Sequence, residues 1–66
     1  MTKKIVHTNV SKRSFTTGGT EYKSEMLDED GVVGRGKSGG VFFKGSELEA
    51  KKAAIEDMQR KRAKRN

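Results

Sequence analysis

A chain of 66 residues has room for one domain at most. It holds no cysteine and a single histidine, so a disulfide framework, a thiolate metal site and a zinc site of its own are all excluded. A net charge of +6 on a chain only 30% hydrophobic favours a polyanionic partner, and no apolar run nears the ~20 residues that span a bilayer.

The first element reads as a strand. Residues Lys3 to Phe15 alternate, with Val6, Thr8 and Val10 on one face and Ile5, His7 and Asn9 on the other. The basic start has no apolar stretch behind it and so is not a signal peptide, which makes the cytoplasm the expected location. Gly18-Gly19 marks a turn. Thr20 to Leu27 alternates more cleanly, with Tyr22, Ser24 and Met26 on one face and Glu21, Lys23 and Glu25 on the other.

Asp28-Glu29-Asp30-Gly31 then reads as a solvated hairpin turn, because glycine accepts the positive φ such turns need. Val32-Val33 opens a third strand reaching toward Lys37, and Ser38-Gly39-Gly40 is another turn. Val41 to Lys44 is expected as a fourth short strand or the tail of the third.

After this the period changes. Ser46-Glu47-Leu48-Glu49 is a capping box, in which Ser46 accepts from the Glu49 amide and the Glu49 side chain reaches back. From Glu47 to at least Gln59 the pattern predicts a helix, rich in alanine, with Leu48, Ile55 and Met58 on one side and Ala54 beside them. Glu47 and Lys51, Glu56 and Arg60, and Asp57 and Lys61 are spaced as i,i+4 ion pairs. The expected fold is α+β: a small antiparallel sheet of three to four strands followed by one C-terminal helix packed on one face. Its core would hold Tyr22, Met26, Val32 or Val33, Phe42 or Phe43, Leu48, Ile55 and Met58. Residues 1–59 would form the domain and 60–66 a basic extension.

Two nucleotide motifs occur by spacing alone. Gly31 to Ser38 spells the phosphate-loop pattern G-x-x-x-x-G-K-S, and Gly34, Gly36 and Gly39 fit the dinucleotide fingerprint. Neither has a buried strand feeding it and a helix directly after it, so a glycine-rich hairpin is the expectation. Its exposed amides, flanked by Arg35 and Lys37, would then be free to meet a nucleic-acid phosphate. His7 has no nucleophile or orienting partner in view, so no enzyme, cofactor or metal is expected. Arg60 to Arg65 carries five bases in six residues, as suits a helical extension lying along a phosphate backbone.

The segment Gly45-Ser46-Glu47-Leu48-Glu49-Ala50-Lys51-Lys52-Ala53-Ala54 resembles the start of the last helix of double-stranded RNA-binding domains. The hairpin from Asp30 to Gly36 is similar too, so the likeness covers residues 20–58. It implies that Lys51 and Lys52 contact phosphates across a duplex. The chain differs in having Glu47 and Leu48 at the family's lysine pair, Val41 to Lys44 inserted, and strand where the family has its first helix. In element order the chain is also similar to the arm-binding domains of phage-type tyrosine recombinases, a three-stranded sheet plus a C-terminal helix whose sheet lies in the DNA major groove.

Both resemblances agree with the charge. The expected function is non-enzymatic binding of duplex DNA or RNA, mainly through phosphates, by Lys12, Arg13, Arg35, Lys37, Lys44, Arg60, Arg62 and Lys64. The alternative is a small protein-binding module, an inhibitor or adaptor of a larger nucleic-acid machine, docking by strand addition at the Val41 to Phe43 edge. No membrane partner is expected.

Overall fold

The computed structural model describes residues 4–65, the last by its backbone alone. The expected strand start at Lys3 and the outer ends of both expected segments lie outside these residues. Three strands, β1 (Ile5–Ser14), β2 (Thr20–Asp28) and β3 (Val33–Gly39), precede one helix, α1 (Glu47–Arg65). The strands form an antiparallel sheet in the order β1-β2-β3. The α+β architecture is thus the one the sequence predicts, with three strands.

Val41 to Lys44 is not a strand. It is a loop that touches the sheet through the isolated bridge of Thr20 with Lys44 and closes on itself through that of Gly40 with Phe43. Phe42 has a φ of 67°, and a β ladder has no place for a left-handed residue.

The helix lies over β2 and β3, and β3 supplies its bed. Gly34 and Gly36 point toward α1, facing Ala50, Ala54 and Met58. A Cβ on Gly36 would collide with the Ala54 nitrogen and sit 2.6 Å from the Ala50 oxygen. Glycine on the strand therefore requires small residues on the helix, and Ala50 and Ala54 are fully buried. The core is Met26, Val32, Ala54 and Met58, with Ile55 packed beside it.

This phase corrects the expected helix face. Leu48 is 62% exposed, and Phe42 and Phe43 also lie outside, while Ile55 and Tyr22 are half-buried. The inward residues instead follow steps of four from Ala50 through Ala54 and Met58 to Arg62.

Asp28 is a second correction, because it is buried and not part of a solvated turn. Its Oδ1 accepts the amides of Asp30 and Val32 at 2.9 Å each, which closes the β2–β3 turn from within. Its Oδ2 accepts from the Arg62 guanidinium. Burial pushes the carboxyl up, but the Val32 amide, Arg62 and the Asp30 amide outweigh it and hold the group below its usual value.

The helix also engages the outer edge of β3 at two points. The Arg35 amide donates to Asp57 Oδ2 at 2.9 Å, and Lys61 Nζ donates to the Val33 carbonyl at 2.7 Å. Asp57 further accepts from Arg60 and pairs with Lys61. These donors, the Arg35 amide first, hold Asp57 well below the carboxylate range. The Arg35 amide is therefore not free for a phosphate, as the glycine-hairpin reading had it.

At its start the helix is capped by Ser46 Oγ, which accepts the Glu49 amide at 3.1 Å. The return half of the box differs: Glu49 accepts from Ser38 Oγ, and that oxygen takes the Ser46 amide. Glu47 and Lys51 pair as expected, whereas Arg60 pairs with Asp57 and not with Glu56. No helix is long and apolar enough to cross a membrane among the described residues.

Candidate nucleic-acid interface

A sheet has two faces, and among the described residues α1 covers one of them, over β2 and β3. The register assigns each residue to a face. Thr8, Met26 and Gly34 form one cross-strand row on the helix side, and Val10, Ser24 and Gly36 the next. The alternate rows, on the open side, are Asn9 with Glu25 and Arg35, Ser11 with Lys23 and Lys37, and Arg13 with Glu21 and Gly39, where Glu21 is itself buried at 7% exposure.

This open side forms a trough of about 410 Å³ lined by Asn9, Ser11, Lys23, Glu25, Arg35 and Lys37, with Ser24 and Gly36 in its floor. Arg35 Nε donates to Glu25 Oε2 at 2.8 Å. That bond and the charge behind it lower the Glu25 carboxyl and raise the Arg35 guanidinium. Arg13 and Lys23 both approach Glu21 Oε1, at 3.9 and 3.7 Å. Lys37 makes no ion pair among the described residues.

Lys23 and Lys37 stand directly opposite each other on adjacent strands. Strands lie about 4.8 Å apart, and like charges in that position are destabilising. The sheet itself gains nothing from the pair, whereas an anion laid over it would relieve the repulsion.

The eight basic residues singled out from the sequence divide into groups. Arg13, Arg35 and Lys37 come together on the open face. Lys12 lies on the other side, its amine 5.8 Å from the Tyr22 ring centre. Lys44 is exposed on the loop before α1. The remaining three are on α1, where the helix runs unbroken through the basic segment. Arg60 is engaged by Asp57 and Arg62 by Asp28, while Lys64 is exposed.

Four lining side chains were absent from the sequence-derived set: Asn9, Ser11, Lys23 and Glu25. Their strand parity was legible, since Lys23 alternates with the buried Ser24. The pairing that stacks them beside Arg35 and Lys37 was not.

Among the described residues no group of three His, Cys, Asp or Glu side chains is arranged to hold a metal ion. The fold and face together define a small α+β domain with one solvent-facing, cation-lined sheet surface. Compared with known proteins, the chain matches no family model, no curated protein and no solved structure.

Proposed function

We propose that the protein binds duplex nucleic acid, without catalysis, by laying the open face of its sheet against the double helix. The observation that carries this reading is the like-charged pair Lys23 and Lys37 at the centre of that face, flanked by Arg35 and Arg13. Glu21 and Glu25 offset only part of that charge. Asn9 and Ser11 add neutral donors and acceptors of the kind that meet base edges and phosphates. A DNA major groove about 12 Å wide admits a β-ribbon. The order of elements is that of the recombinase arm-binding domains, which use their sheet in this way.

The test is binding of a labelled duplex across a salt series. Each phosphate neutralised on B-DNA contributes about 0.9 to the slope of log affinity against log salt. Lys23→Glu with Lys37→Glu is expected to abolish binding. Lys52→Glu, an exposed change on the helix, is expected to leave it nearly intact. Salt-independent binding, or loss with Lys52→Glu and not with the sheet pair, overturns the reading.

One observation favours a second reading, a protein-binding module. The helix bonds the β3 edge at the Arg35 amide and the Val33 carbonyl, but β1, ten residues long, has no strand on its outer side among the described residues. An open edge accepts an added strand. A partner bound in this way would slow amide exchange along Ile5–Ser14; exchange there that is unchanged in the complex overturns it.

A further inference from the structure

The chain has three phenylalanines and leaves two of them in solvent. Phe42 is 74% exposed and Phe43 71%, beside Val41 at 40% and Leu48 at 62%. A core of methionine, valine and alanine would gain from either ring, so their exposure needs a reason outside the fold.

The loop that presents them is built and held. Phe42 sits in the left-handed region, costly for a bulky residue, and such strain persists only where neighbours over-determine it. Three backbone bonds do this: Phe42 N to Gly18 O at 2.9 Å, Thr20 N to Phe43 O at 3.1 Å and Phe43 N to Gly40 O at 3.1 Å. Gly19 permits the approach, because a Cβ there would collide with the Gly40 oxygen and lie 2.7 Å from the Phe42 nitrogen.

Two cations flank the loop in the fold, Arg13 while also approaching Glu21. Lys44 follows the rings in the chain, and Arg13 stacks its guanidinium 4.5 Å from the Phe15 ring centre in the adjoining turn. Three acids lie near the loop in the fold, and each has a partner: Glu21 with Arg13 and Lys23, Glu47 with Lys51 and Glu49 with Ser38. The row of Arg13, Glu21 and Gly39 is the last on the open face, and the loop departs immediately beyond Gly39.

We propose that Phe42 and Phe43 form a nucleobase-stacking site, taking unpaired bases of a strand that continues past the duplex on the sheet face. Exposed rings among cations are the pairing that single-stranded nucleic acid meets in its binding proteins. A second copy of the chain is a poorer occupant. Aromatic side chains bury about 150–250 Å² each, and the patch falls short of the roughly 800 Å² per partner of a standard interface.

The inference rests on the nucleic-acid reading, and the experiment separates the two. The probes are a blunt duplex, the same duplex with a single-stranded thymidine tail, and the tail alone. The tail is expected to tighten wild-type binding by about tenfold or more. Phe42→Gly with Phe43→Ala should lose that gain while keeping blunt-duplex affinity and salt slope. Glycine suits the φ at position 42, so the loop survives the change. The chain has no tryptophan, so Phe42→Trp supplies a reporter, quenched by the tailed duplex and not by the blunt one. A tail that adds nothing, or a gain that the double variant retains, overturns the stacking site. Loss of self-association or of binding to anionic vesicles in that variant, with the tail gain intact, overturns it in favour of another occupant. Failure of the blunt duplex alone overturns the sheet-face reading, and the free tail still reports on the loop.

Discussion

Arg62, in the last turns of the helix, reaches the buried carboxylate of Asp28 at the tip of the β2–β3 hairpin and ties the end of the helix to that turn. Residues 34 apart in sequence thus depend on each other. Removing one partner strands the other in a buried setting. Arg62→Ala is therefore expected to lower the thermal midpoint clearly, while Lys64→Ala, two residues on and exposed, leaves it unchanged. Melting followed by circular dichroism checks both. Equal midpoints would mean that the basic segment is one uniform solvated face.

The glycine bed makes a second prediction. Gly36→Ala places a methyl group against helix backbone, which has no side chain to swing aside. Overpacking of this kind costs about 1–3 kcal/mol and more where backbone must shift. Denaturant unfolding should show at least that loss. A neutral Gly36→Ala would mean that the helix does not rest on β3.

The helix phase is testable by truncation. Met58 is 4% exposed and Leu48 is 62% exposed. Met58→Ala should cost about 2–5 kcal/mol from lost burial and a cavity. Leu48→Ala should stay within about 0.5 kcal/mol, as surface changes do. The reverse ranking in chemical denaturation would restore the face that hydrophobic periodicity suggests.

That contrast shows where the sequence was legible. Alternation along Thr20 to Leu27 and the cap at Ser46 are local signals, and both carried through to β2 and α1. The helix face was not local. Leu48, Ile55 and Met58 look like the buried stripe by hydrophobicity, yet β3 offers glycines and accepts alanines. The matching signal was two glycines a strand-step apart, Gly34 and Gly36, facing two alanines a helix-turn apart, Ala50 and Ala54. It becomes meaningful only once the two elements are known to pack. The open face had the same difficulty: the parity of Lys23 and of Lys37 was readable, but the register bringing them together was not. Phe42 and Phe43 read as core because that is the commonest fate of phenylalanine, and nothing in the chain announces a positive φ outside glycine.

Stability should fall in acid, and the sign follows from the carboxylates. Asp57 and Asp28 are both held below the ordinary value of 3.8 in the folded state. A depressed carboxylate contributes stability that is fully present above the unfolded pKa and is lost as pH drops toward the folded one. The midpoint is expected to be flat above about pH 5 and to decline below about pH 4. Asp57→Asn should lower the plateau and flatten the decline. A pH series of thermal melts checks this, and an unchanged slope in Asp57→Asn would show that its bonds to Arg35, Arg60 and Lys61 do not hold in solution.

The last prediction concerns the tether on Arg35. Glu25 accepts from its guanidinium at 2.8 Å, with the arginine side chain 72% exposed and the glutamate 45%. Exposed pairs of this kind contribute little to stability, so Glu25→Gln should leave the fold intact. Its effect on binding should be larger. Arg35 holds the Glu25 carboxyl below its usual range, so Glu25 stays charged at neutral pH and repels any phosphate approaching the trough. Replacing it removes that repulsion and releases Arg35 to a phosphate. Duplex affinity at low salt should rise, and the salt slope should steepen by about one unit. Arg35→Ala in the Glu25→Gln background should reverse the steepening, which ties the effect to this arginine and not to net charge alone. Fluorescence anisotropy across a salt series measures both. If Glu25→Gln weakens binding instead, Glu25 serves to aim Arg35 at a base edge, and the sheet face reads sequence more than it grips the backbone.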